Sequence, residues 1–193
     1  AAVAVTHAAD RPPRGAPHPS IPGRSNSDNV NPTRILYTPE STVPGGRRGH
    51  GATSTGNLEV DFSSPTEMGG DGGPGTNPEQ LFALGYGACW QNAMIGIARR
   101  KGIDVLDSIV TARVGIGLLG AGRLGLVVEL LVTLPSITDL AQAEALIAET
   151  DQRCPYSNAV RGNVAGTTTP CRGAAAIPGP PPSAPPHGRG PPR

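Results

Sequence analysis

The sequence predicts an α+β domain on three observations: a long helix that is apolar on almost every side, short strands before it, and two longer strands after it that read as a hairpin. The first strand opens at Ile35-Leu-Tyr-Thr, and Leu58-Glu-Val-Asp-Phe alternates apolar and polar residues with the two-residue period of a strand. Gly69-Gly-Asp-Gly-Gly-Pro-Gly-Thr follows as a loop. It lacks the Gly-Lys-Ser/Thr ending of a phosphate-binding loop, which excludes that function.

The long helix starts at Asn77-Pro-Glu-Gln. Asn77 suits the N-cap, Pro78 the first helical position, and Gln80 completes a capping box. No proline interrupts the pattern before about Lys101. Residues 81–98 are apolar apart from Gln91 and Asn92, so the helix belongs in an interior. Gly85, Gly87, Ala88, Ala93 and Gly96 would let another backbone approach it closely. Each of those glycines costs about 1 kcal/mol of helix propensity relative to alanine, so packing or function must offset them.

Residues 109–116 and 124–134 form the expected hairpin. Between them lies Gly115-Ile-Gly-Leu-Leu-Gly, a literal G-x-G-x-x-G. A dinucleotide site needs a helix next, and Leu126-Val-Val-Glu-Leu-Leu-Val reads as a strand, so the motif is set aside. A second helix spans about 138–153, with Leu140, Ala143, Leu146 and Ile147 on one face and Ser136 and Asp139 as a capping box. Pro155 stops it one residue after Cys154.

Composition bounds the rest. The 27 Gly and 22 Pro of 193 residues are concentrated toward the two ends. Residues 1–33 read as a disordered arm and 165–193 as a disordered Pro/Gly-rich tail, leaving a folded domain over 34–164. A net charge of +1 gives no basic field for nucleic acid, and 3% aromatic content gives no base-stacking surface. No apolar run approaches the ~20 residues that span a bilayer. The first ten residues lack the basic start of a signal peptide.

Three cysteines are too few for a disulfide framework in a chain of this size, which fits a cytoplasmic protein with reactive thiols. Cys89, in the apolar helix, reads either as a small core residue or as a nucleophile. Cys154, at a helix end before Pro-Tyr-Ser-Asn, reads as the more exposed thiol and a plausible partner. Cys171 falls in the tail as a bystander. His50 is the one histidine inside the domain, so neither histidine chemistry nor a zinc site is expected.

Two long strings resemble a known family. Thr76-Asn-Pro-Glu-Gln-Leu-Phe-Ala-Leu-Gly-Tyr-Gly-Ala-Cys89 resembles the peroxidatic segment of the organic hydroperoxide resistance (Ohr) branch of the Ohr/OsmC proteins. Cys154-Pro-Tyr-Ser-Asn-Ala-Val-Arg-Gly-Asn163 resembles that branch's resolving-cysteine signature. Leu36-Tyr-Thr, Gly45-Gly-Arg47, Glu67-Met-Gly-Gly and Val114-Gly-Ile-Gly match in the same order. After Asn163 the likeness stops: Val164-Ala-Gly-Thr-Thr-Thr-Pro stands where the family has an alternating apolar strand.

The resemblance implies antiparallel sheets wrapped around a buried central helix in an intertwined homodimer. It implies Cys89 as the peroxidatic and Cys154 as the resolving cysteine, Arg47 as the cation that polarises the thiolate, and Glu79 as the acid that holds Arg47. The implied activity is thiol-dependent reduction of alkyl and fatty-acid hydroperoxides, with a lipoyl-type or other dithiol as reductant and no resident cofactor or metal. The partners are then a second copy, the hydroperoxide and the dithiol, with no nucleic acid or membrane. The alternatives are an OsmC-type peroxidase of broader substrate range, or a non-catalytic homologue acting as a dimeric thiol-binding protein. Glu79 and Cys89 stand ten residues apart on one helix, about 15 Å along its axis. Either that helix breaks near Gly85 and Gly87, or Arg47 and Glu79 serve the Cys89 of another chain.

Overall fold

A strand needs a partner edge for its backbone N–H and C=O groups, and that requirement decides which apolar runs become strands. A computed structural model describes residues 32–171; residues 1–31 of the expected arm and 172–193 of the expected tail lie outside it. Residues 35–38 are not a strand. Their apolar side chains stand exposed, Ile35, Leu36 and Tyr37 among them. From Tyr37 onward the described residues form one unit.

That unit begins with a small antiparallel sheet of β1 (Ser41–Thr42), β2 (His50–Thr53) and β3 (Glu59–Asp61), in sequence order. A 3-10 turn over Gly46–Arg48 leads into β2. His50 faces Asp61 across the β2–β3 pair at 2.9 Å and reaches Glu59 at 3.1 Å, so it ties two strands together.

The helix α1 (Pro78–Lys101) is continuous. Asn77 caps it by accepting from the Gln80 N–H at 2.9 Å. The reciprocal half of the expected capping box does not form, because the Gln80 side chain accepts instead from the Thr76 hydroxyl at 2.9 Å. Gly102, at φ 67°, closes the other end. The helix is less enclosed than its composition suggests. Tyr86, Trp90, Met94, Ile97 and Ala98 are buried, whereas Leu84, Ala88 and Asn92 form an exposed stripe. One chain covers one face only.

The hairpin is longer than expected, with β4 over Ile109–Gly120 and β5 over Arg123–Thr133. Gly115 and Gly117 lie within β4, and Ala121 and Gly122 both take the positive φ of a tight hairpin turn. The G-x-G-x-x-G string is therefore strand and turn, with no helix behind it. Next come α2 (Leu140–Arg153) and the short α3 (Pro155–Val160). Asp139, not Ser136, caps α2, accepting from the Ala141 N–H at 2.9 Å; the Ser136 hydroxyl donates to Asp107 instead. Ala143, Leu146 and Ile147 are buried as expected, and Leu140 at the frayed end is exposed.

The chain then enters β6 (Ala165–Cys171), which pairs parallel with β5. The sequence reading placed these residues in the tail. A Thr-rich strand with one proline carries almost no burial pattern, but its backbone finds the free edge of β5 after a helical crossover. Its small side chains leave a cavity of about 590 Å³ lined by Tyr86, Leu130, Ile147, Val160, Val164 and Thr168 among others. The α+β class stands, with this one parallel pair added to otherwise antiparallel sheets.

The core forms where α1, α2 and the inner face of β5 meet, with Val128, Leu130 and Val132 alternating along the strand. Trp90 is wholly buried at its centre. Trp90→Ala should cost about 3–5 kcal/mol, a large part of a typical domain's stability, read as a lower urea midpoint. No helix among the described residues is long and apolar enough to cross a membrane.

Candidate active site

Two cysteines far apart in sequence meet at the junction of three helices. Cys89 lies mid-way along α1. Cys154 is the single extended residue between α2 and α3, at φ −68° and ψ 124°. Its N–H ends α2 on the Thr150 carbonyl at 2.9 Å, and its carbonyl starts α3 by accepting from the Asn158 N–H at 3.0 Å. Pro155 can begin α3 because the first helical position needs no N–H. This double-cap geometry aims the Cys154 side chain inward, so the expected exposures are reversed. Cys154 is fully buried, and Cys89 is the partly exposed thiol. The two Sγ atoms stand 3.8 Å apart as free thiols. A disulfide at ~2.05 Å is one small movement away.

Burial pushes the Cys89 thiol above its ordinary pKa, and neighbouring Cys154 adds to the rise; a hydrogen bond from the Tyr156 backbone opposes both. No cation among the described residues contributes to that balance. Arg153 does not supply one: its guanidinium is exposed and turned to Glu149 at 3.2 Å. Asp151 is paired with Arg161.

The second cluster lies at the start of α1. Phe62 bridges to Thr76, which fastens the helix entry to the end of β3, while the turn before β2 lies on the neighbouring strand. That turn depends on Gly45, at φ 79°, and on Gly49, where a Cβ would come within 1.8 Å of the Pro44 carbonyl oxygen. Arg47 is thereby delivered to Glu79 as a two-pronged ion pair, Nη1 to Oε2 at 2.8 Å and Nη2 to Oε1 at 2.5 Å. The hydrogen bond from Arg47 holds the Glu79 carboxyl below its ordinary range, and Glu79 raises the guanidinium in return. Beside the pair opens a cavity of about 360 Å³ with Pro65, Met68, Ala83, Val114 and Ile116 in its walls.

The four expected site residues thus fall into two pairs within one chain. Arg47 meets Glu79, and Cys89 meets Cys154. Because α1 does not break, about 15 Å of helix axis separates Glu79 from Cys89. The large apolar residues of α1 near Cys89 in sequence also divide. Leu81 lines a small cavity under the first sheet and Trp90 lies in the core. Phe82 alone stays near the thiols, stacked edge-on with Tyr86 and Tyr156 at centroid distances of 5.9 and 5.7 Å.

Sequence reasoning assigned no role to Tyr86, Tyr156 or Ser157. The Tyr86 hydroxyl donates to the Ser157 Oγ at 3.0 Å in a buried contact. Gly85 makes room for the Tyr156 ring: an added Cβ would lie 3.0 Å from its hydroxyl. A signal was present. Tyr86 stands three residues before Cys89 and Ser157 three after Cys154, one helical turn from each thiol.

A close pair of thiols, one buried and one partly exposed, on an α+β scaffold of this topology defines a class of protein, and comparison with known proteins agrees. Residues 69–169 match the OsmC-like protein family. The organic hydroperoxide resistance protein of Xanthomonas axonopodis pv. citri is 43% identical over 141 residues, covering 72% of this chain and 98% of the relative. The crystal structure of an organic hydroperoxide resistance protein from Elizabethkingia anophelis superposes with a TM-score of 0.68 at 40% identity, covering 72% of this chain and 99% of that one. OhrB of Bacillus subtilis gives a TM-score of 0.65 at 35% identity, over 71% and 100% of the two chains. The chain belongs to the OsmC-like family, in its organic hydroperoxide resistance branch.

Proposed function

We propose that this protein is a two-cysteine peroxidase that reduces alkyl and fatty-acid hydroperoxides to alcohols in the cytoplasm. The observation that carries the reading is the approach of Cys89 and Cys154 to 3.8 Å in a chain whose relatives bear the name organic hydroperoxide resistance protein. The Cys89 thiolate attacks the terminal peroxide oxygen. The S–O bond forms as the O–O bond breaks, and the alkoxide takes a proton and leaves as the alcohol. The Cys154 thiolate then attacks the Cys89 sulfenic acid, expelling the hydroxyl as water and forming the Cys89–Cys154 disulfide. A dithiol, of lipoyl type by the family resemblance, reopens it by exchange. The chemistry runs on thiols and needs no resident cofactor.

The thiolate needs a cation, and a second copy supplies it in this reading. The protein acts as a homodimer in which Arg47, aimed by Glu79, faces the Cys89 of the partner. Three features support this. The ion pair lies far along the helix from its own Cys89. The Leu84–Ala88–Asn92 stripe is open, and Cys89 in one chain is raised, not lowered. An opposite charge in contact reverses such a rise.

Turnover of cumene hydroperoxide with dihydrolipoamide tests the function, and its absence would overturn it. Cys154→Ser should slow dithiol-driven turnover and leave Cys89 to over-oxidise, seen by mass spectrometry as sulfinic or sulfonic acid. Disulfide mapping after one equivalent of peroxide should find Cys89 joined to Cys154. A Cys89–Cys171 bond would overturn the pairing.

A further inference from the structure

Disulfide closure depends on how α3 is held, because α3 carries Cys154 at its start. Two polar contacts help to hold it. At its far end Arg161 donates to the Asp151 carbonyl at 2.6 Å and pairs with the Asp151 carboxylate at 3.2 Å. At its near end the Tyr86 hydroxyl donates to Ser157 at 3.0 Å. On the α1 side the Tyr156 ring packs against Phe82 and Tyr86, at centroid distances of 5.7 and 5.5 Å; on the other side Ser157, Val160 and Arg161 line the cavity of about 590 Å³ under β6, where packing is loose. Tyr86 is 4% exposed and Ser157 2%, so water does not compete for their bond. Burial also raises the Tyr86 phenol above its ordinary pKa, so it remains a donor at physiological pH.

We propose that the Tyr86 hydroxyl is a positioning group for disulfide formation: by anchoring Ser157 it holds α3, and with it the Cys154 sulfur, within closing distance of Cys89. This rests on the two-cysteine peroxidase reading and adds to it the residue that sets the fate of the sulfenic acid. At that stage Cys89-SOH has two exits. Attack by Cys154 forms the S–S bond and breaks the S–O bond, releasing water. Attack on a second hydroperoxide forms another S–O bond, breaks an O–O bond, and leaves sulfinic acid and alcohol. The first exit depends on the effective concentration of Cys154 at Cys89. Displacement of a reacting group by about 1 Å costs up to a hundredfold in such a step. Loosening α3 therefore diverts Cys89 toward over-oxidation while leaving its first oxidation unchanged.

The test pairs Tyr86→Phe, which keeps the ring against Phe82 and Tyr156, with Ser157→Ala on the other side of the bond, and the double variant. The Cys89–Cys154 couple is equilibrated with reduced and oxidised glutathione, with no peroxide present. Each single variant should lower the effective concentration of the pair by about tenfold, raising the potential by about 30 mV, and the double variant should add nothing further. In a separate titration, the cumene hydroperoxide concentration that over-oxidises half of Cys89 should fall by about tenfold in the same variants, in step with that effective concentration. Unchanged potentials in both single variants, or additive shifts in the double, would overturn the proposal. The glutathione measurement stands whether or not the protein turns over hydroperoxides, so failure of the peroxidase reading shows separately, as lack of turnover by the unsubstituted chain.

Discussion

Cys89→Ser removes hydroperoxide turnover. A serine hydroxyl at this point of α1 has no comparably acidic or polarisable nucleophile to offer the O–O bond, and the hydroxyl cannot pass through a sulfenic acid. The loss should be on the order of 10⁴-fold or more, the scale on which removal of a covalent nucleophile costs an enzyme. Stability should change little, because the exchange is nearly isosteric and Cys89 is only partly buried. Peroxide consumption assayed with dihydrolipoamide, beside a urea melt, separates chemistry from folding. Turnover near that of the unsubstituted chain would end the assignment.

Arg47→Ala should be as silent as Cys89→Ser when each is alone, and active when the two are refolded together. In a mixed dimer one centre receives the intact Arg47 of one chain and the intact Cys89 of the other, while the second centre has neither. Random assortment makes half the dimers mixed with one working centre each, so about a quarter of the original activity should return. The unbroken α1 keeps Glu79 and its bound Arg47 remote from the Cys89 of the same chain. The thiol should report the same arrangement directly. Burial raises Cys89 where no cation faces it, so without Arg47 its pKa should rise above that of the complete centre. Alkylation at neutral pH should then slow in Arg47→Ala, as the thiolate fraction falls. Mixed dimers without recovered turnover would show that each centre is built from one chain.

What could be read in advance follows from how local each cause is. The ends of α1 were legible because Asn77, Pro78 and the glycine at 102 act on their own neighbours. The hairpin was legible because a strand pattern follows the glycine string where a nucleotide site needs a helix. The burial of Cys154 was not, because the residue itself is ambiguous. An extended link between two helices is ordinarily an exposed corner, and this one turns inward only because α1 lies beneath it. The strand expected at Ile35 failed for the converse reason. Its side-chain pattern is sound, but among the described residues its backbone pairs with no strand. Arg47 meets Glu79 through a β2–β3 pairing and a Phe62–Thr76 bridge that no sequence period announces.

The last strand works as a seam closed by the main chain. β6 joins β5 through main-chain groups over seven paired positions, and its Ala-Gly-Thr-Thr-Thr-Pro-Cys side chains fill no part of the core. Its hold on the sheet is main-chain pairing, with a close fit at Gly166, where an added Cβ would lie 3.0 Å from the Val128 carbonyl oxygen. Arg47, Glu79, Cys89 and Cys154 all lie upstream. Seam and thiols are thus separate pieces of chain: every group that sets the two sulfurs together is in place before the strand that closes the sheet begins.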